Sequence, residues 1–130
     1  MTKPFSLSKH ERLKSKKDID TLFLTGKAFF VFPFKLFYFL QESKSQQHPL
    51  LFGVSVPKKI YKHAVDRNLI KRRVRELYRI AKPELSACLS LHNKKLHVMF
   101  VYTNKEIMGS EEMRPIMYEI MKKLKDRSVS

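Results

Sequence analysis

The residues best able to do chemistry crowd into one stretch of the chain. Positions 58–82 hold ten lysines and arginines against two carboxylates, Asp66 and Glu76, a net +8 of the +15 carried by all 130 residues. On a helical wheel of about 100° per residue, Arg67, Asn68, Lys71, Arg72, Arg75 and Arg79 cover an arc of roughly 140°, while Ile70, Val74, Leu77 and Ala81 form an apolar stripe. One face therefore suits a core and the other a polyanion. Cations four residues apart, such as Arg67, Lys71 and Arg75, repel one another unless an anion compensates them. Arginine takes four of the five cationic positions on this arc, which favours forked contacts to phosphate or base edges over diffuse attraction.

A second constellation lies upstream. Seven aromatic residues occupy the 11 positions from 29 to 39, a density that favours pleated strands over helix. With a period of two, Phe34, Leu36, Tyr38 and Leu40 share one face, and Lys35, Phe37 and Phe39 share the other. The first face reads as core. The second mixes a cation with two rings, a combination that can stack bases and hold the backbone of a single strand without reading its sequence.

No catalytic constellation accompanies these features. The histidines at 10, 48, 63, 92 and 97 lack metal-ligand spacing, there is no glycine-rich phosphate loop, and carboxylates are sparse. A protein nuclease would need clustered Asp or Glu for metals, or a paired acid and base. Cys88 is the single cysteine and reads as packing or an inert thiol. The charge of +15 exceeds the magnitude of about 2 to 8 that solubility asks of a small domain, so a polyanionic partner is expected. A membrane is not, because no apolar run approaches 20 residues, and without an apolar leader segment the chain is expected to be cytoplasmic.

The elements that must position these residues follow from periodicity and punctuation. A short helix is expected over 15–24, with Ser15 as its cap, Ile19, Leu22 and Phe23 at helical spacing, and Gly26 as terminator. Strands follow within 28–40, bent at Pro33, then a polar loop over 41–49 and a third strand over 50–56. The basic helix should run from 64 to about 82 and end at Pro83, a fourth strand should cover 96–102, and a last helix should follow Gly109. There Ser110 is the expected cap, and Pro115 is expected to push the regular helix slightly later. The order is αβββαβα: a single α+β domain over 1–130, its four-stranded sheet packed against helices, with 1–6 and 126–130 as flexible tails.

VSVPKK at 54–59, followed by AVDRNLIKRRVRE at 64–76, resembles the signature of the bacterial ribonuclease P protein family. The likeness maps the family's basic motif onto Lys58, Lys59, Arg67, Asn68, Lys71, Arg72 and Arg75, and it extends to the Arg12-Leu-Lys lead-in, Gly26 and the aromatic strand, covering about residues 7–125. The turn at 60–63 departs from the family in lacking a glycine and being one residue longer, and Tyr102-Thr-Asn replaces the usual end of the fourth strand. The resemblance implies a rare left-handed crossover from the third strand through the basic helix to the fourth, against the usual right-handed rule. It also implies two separate RNA surfaces. The basic motif would bind a catalytic RNA subunit, and a cleft formed by Ile19, Phe23, Lys35, Phe37 and Phe39 would hold the 5′ leader of precursor tRNA. In that setting the RNA performs the hydrolysis with Mg2+ that it largely holds itself. The protein needs neither a catalytic residue, a metal of its own nor a protein partner. A ribosomal-type or RNA-chaperone protein is the other class compatible with this charge and these aromatics.

Overall fold

The computed structural model describes residues 12–13, 16–43 and 49–129. Its elements are α1 (Lys16–Thr25), β1 (Lys27–Val31), β2 (Phe34–Glu42), β3 (Leu50–Ser55), α2 (Ala64–Leu91), β4 (Lys94–Tyr102) and α3 (Ser110–Val129). This is the expected α+β order. The sheet runs β1-β2-β4-β3, antiparallel except between β3 and β4, which are parallel and joined through α2.

Strand alternation sorts side chains onto two unequal faces. Phe34, Leu36 and Tyr38 of β2 and Leu96, Val98, Phe100 and Tyr102 of β4 are buried against α2 and α3. The Phe52 ring of β3 stacks on Tyr78 of α2 at 3.9 Å, and Phe100 meets Phe52 edge-on at 5.3 Å. Among the described residues, the opposite face has a small cluster, Leu13, Leu22 and Met99, flanked by half-buried Ile19, Phe37, Phe39, Leu51 and Val101. Ten-residue α1 is too short to cover a four-stranded sheet, so among the described residues much of this face is uncovered. Gly26 lets the chain turn sharply from α1 into β1: a Cβ there would collide with the Leu22 carbonyl and sit 2.9 Å from that of Tyr38.

Four expectations are corrected, and two fall outside the described residues. Helix α2 does not end at Pro83 but continues in register to Leu91. An interior proline costs about 3 kcal/mol, but burying Leu85 and Leu89 against the core returns roughly 1.5 to 3 kcal/mol each. The helix stops instead where Asn93 takes a left-handed backbone, φ 55°, a conformation asparagine tolerates better than most residues. In α3, Ser110 is already helical and the Met113 N–H donates to the Gly109 carbonyl at 3.1 Å, so Gly109 holds the cap position. Pro115 does not delay that helix. Residues 126–129 are helix and not tail: Ser128 is buried, and the Arg127 guanidinium lies 4.6 Å from the Phe29 ring while donating to the Tyr38 hydroxyl at 3.0 Å. The Ser15 cap and the tail at 1–6 fall outside the described residues.

Candidate nucleic-acid interface

The cations of the basic helix have different occupations. Arg67 bends back: its Nη1 donates to the carbonyls of Tyr61 at 2.8 Å and Lys62 at 2.9 Å. Those carbonyls belong to the glycine-less turn that presents Lys58 and Lys59, both exposed. The Tyr61 hydroxyl anchors the turn from the other side by donating to the Asn104 carbonyl at 2.8 Å. Burial first, then the charges and phenol around it, raises the Tyr61 pKa and keeps it a donor. Arg79 is held in a two-pronged pair with Glu76, whose carboxyl is pulled down by that hydrogen bond. Asn68, Arg72 and Arg75 are exposed and Lys71 is half-exposed, so these four carry the arc outward. Arg73, off the arc, donates to the Met108 carbonyl at 2.8 Å and pins the loop after β4.

Arg75 is exposed on α2. It lines a hollow of about 350 Å³ together with Arg12, Ile19, Gly53 and Met99. The bridge between Arg12 and Phe52, and the Leu13 N–H donated to the Phe52 carbonyl at 2.8 Å, set these two residues alongside β3 and bring Arg12 there. Arg75 of the basic motif and Ile19 of α1 thus line the same hollow.

The cleft itself has the composition its strand pattern foretold. Phe23 of α1 meets Phe37 of β2 edge-on, centroids 4.7 Å apart, and remains 42% exposed. The Lys35 ammonium stands 5.2 Å from the centre of the Phe37 ring. Phe39 and Ile19 are half-buried on the same face. Register places Met99 beside Phe37 and His97 beside Phe39. The buried His97 has its pKa lowered by desolvation, with Asp18 pulling the other way, and its Nε2 lies 3.4 Å from Gln41 Nε2. Arg12, Met99 and His97 were not foreseen here. The two β4 residues had a signal, since they occupy the positions of that strand opposite its core residues. Arg12 had none, because only tertiary pairing brings it in.

Among the described residues, no three His, Cys, Asp or Glu gather as a metal site, and no helix is long and apolar enough to cross a membrane. The described residues thus combine a cationic helix and turn with an aromatic face of the sheet beside α1. A family model described as Ribonuclease P matches residues 7–125. The chain belongs to the ribonuclease P protein family. It is 40% identical over 110 residues to the ribonuclease P protein component of Porphyromonas gingivalis, spanning 82% of this chain and 79% of that one. To the ribonuclease P protein component of Chlorobium phaeobacteroides it is 43% identical over 84 residues, 62% of this chain and 56% of the relative. The Staphylococcus aureus RNase P protein superposes with a TM-score of 0.63 at 21% identity, over 86% of this chain and 93% of that one, a likeness of fold. As a ribonuclease P protein component, the chain is the accessory subunit of an endoribonuclease and works with the ribonuclease P RNA.

Proposed function

We propose that this subunit holds the 5′ leader of precursor tRNA in the cleft beside α1 while Lys58, Lys59, Asn68, Lys71 and Arg72 lie against the ribonuclease P RNA. The observation that carries this reading is the inequality of the two sheet faces. One face is closed by α2 and α3, whereas the other leaves Phe23 and Phe37 in edge contact with Lys35 over the Phe37 ring. A folded domain does not need half-exposed rings beside a cation for its own stability, but a single-stranded polynucleotide does need stacking surfaces and a counter-charge. An unstacked leader base would lie against Phe37 and Phe23, with Ile19 and Phe39 as apolar walls and Lys35 near the adjoining phosphate. Arg67 contributes through the turn it secures, orienting Lys58 and Lys59.

Hydrolysis in this reading belongs to the RNA. The Mg2+ it requires would be held mainly by phosphates, and because the described residues offer no cluster of donors, no step is assigned to a metal on the protein. The protein raises affinity for the substrate by adding leader contacts that mature tRNA lacks. No further protein is needed, and the setting is the cytoplasm, where the precursors are made.

The test is reconstitution with a bacterial ribonuclease P RNA. At magnesium concentrations too low for the RNA alone, adding the protein should restore leader cleavage, and failure to do so defeats the proposal. In the same system, changing Lys71 and Arg72 to glutamine should flatten the salt dependence of RNA binding by about 0.7 to 0.9 in log–log slope for each phosphate left without its cation. An unchanged slope would remove the arc as the RNA surface.

A further inference from the structure

At one end of the sheet three loops are laced together. Strands β1, β3 and β4 end there and β2 begins there, so the turn at 32–33, the turn at 56–63 and the loop at 103–109 are neighbours. Thr103 donates to the Pro33 carbonyl twice, from its N–H at 2.8 Å and from its hydroxyl at 2.7 Å. The Asn104 carbonyl accepts from Tyr61 in the lysine turn, and Arg67 secures that turn from α2. The Phe32–Pro33 turn is thereby fixed relative to Lys58 and Lys59 across three strand spacings, roughly 14 Å. Two rings at this end are left in water. Phe30 and Phe32 are 55% and 57% exposed, with centroids 6.3 Å apart and planes tilted by 59°. They lie beyond the cleft, because α1 meets β2 through Phe23 at Phe37, whereas Phe30 pairs with Lys35 and Phe32 precedes the strand.

The fold makes poor use of either ring, since half-exposure leaves much of the benefit of burying a phenylalanine unrealised. The three loops carry exposed Lys58, Lys59, Lys62 and Lys105 against a single carboxylate, Glu106. Rings rimmed by cations suit an unpaired nucleotide, which offers a base to stack and a phosphate to pair. They do not suit a second copy of this chain, which would bring the same lysines and set +15 against +15. We propose that Phe32, with Phe30 beside it, is a stacking platform for an unpaired base of the ribonuclease P RNA. This rests on the assignment of Lys58 and Lys59 to that RNA and adds a contact of another kind. Thr103 and Tyr61 hold the platform and the lysine turn in one arrangement before binding, so little ordering is left to offset the stacking gain. A stacked base also distinguishes an unpaired segment from a helical one, which phosphate contacts at the lysines do not.

The chain has no tryptophan, so Phe32→Trp places a sole fluorescent reporter at the platform. Added ribonuclease P RNA should quench its emission through base stacking, before any precursor is present. Phe32→Ala should bind that RNA on the order of tenfold more weakly, the scale of one lost stacked base, and Phe32→Tyr should keep the wild-type affinity. The log–log salt slope should be unaltered in Phe32→Ala, since no cation is removed, while Lys58→Gln combined with Lys59→Gln should flatten it. Every Phe32 variant should melt like wild type because the ring is exposed. The platform is overturned if Phe32→Ala binds the ribonuclease P RNA as tightly as wild type. It is also overturned if the tryptophan responds only when precursor joins the assembled particle, which would put the leader there. A response to protein concentration without RNA, and none to RNA, would replace it with self-association. If the lysine variant keeps its slope while Phe32→Ala loses affinity, the turn leaves the RNA surface and the platform stands. The reverse pattern removes the platform and keeps the turn.

Discussion

Strand β2 makes two surfaces from the same materials. Phe34 and Phe37 are three residues apart, share a residue type and pair with the same neighbouring strand, yet Phe34 is wholly buried and Phe37 is not. The difference lies in what covers each face. On Phe34's side α2 and α3, of 28 and 20 residues, close a continuous core, and on the other side α1 supplies ten residues and leaves a cleft. A ring under two long helices stabilises the fold, and a ring beside one short helix is available to a ligand. Aromatic content alone therefore says little about binding, whereas the length of the covering element says a good deal.

The sharpest way to break the comparison is to truncate the closed face. Phe34→Ala should cost about 3 to 5 kcal/mol of folding stability, because the cavity it leaves is walled by Phe100 and Tyr102 and cannot collapse. Denaturant midpoints should fall, and RNA and precursor binding should decline together. A loss under about 1 kcal/mol would mean that the two faces are not energetically distinct.

Loosening the cover of the open face should have a smaller and more local effect. Leu22 is the buried residue of α1, and Leu22→Ala should weaken docking of that helix by roughly 2 to 3 kcal/mol. Hydrogen exchange should show the amides of α1 losing protection while those of β4 keep theirs. Uniform loss of protection would mean that α1 is part of the core unit and that the cleft has no independent lid.

The smallest effect concerns pH. Burial lowers the His97 pKa from its ordinary 6.5, so the folded protein prefers the neutral ring. The contribution of His97 is intact above pH 6.5 and declines as pH falls toward the lower folded value, because the unfolded chain takes up the proton first. Stability measured between about pH 7.5 and 5.5 should therefore decline more steeply for wild type than for His97→Gln. Parallel curves would show that the ring is not held neutral by the sheet.

Much of this architecture was legible in the sequence, for identifiable reasons. The alternation of β2 and the stripe of Ile70, Val74 and Leu77 are local patterns set by backbone period, and they survived folding intact. Punctuation was less dependable. Pro83 reads as a stop because it lacks an N–H, but the burial of Leu85 and Leu89 beyond it cannot be weighed from the chain alone. The helical wheel gave the directions of Arg67 and Arg75 but not their partners. Arg67 turns to two carbonyls of a turn with no glycine, and Arg75 lines one hollow with Arg12 from far upstream. The parallel pairing of β3 with β4 through α2 had no signal in the residues, since strand order is a tertiary property.

If the open face binds the leader, Phe37→Ala reveals it most directly. Its melting curve, its affinity for precursor and its affinity for mature tRNA should be measured together in the reconstituted particle. The expected result is a melt close to wild type, a fall of about 1 to 3 kcal/mol in precursor binding from the missing stacking surface, and little change for mature tRNA. A variant that melts like wild type and binds both RNAs with unchanged affinity would contradict leader binding at this face.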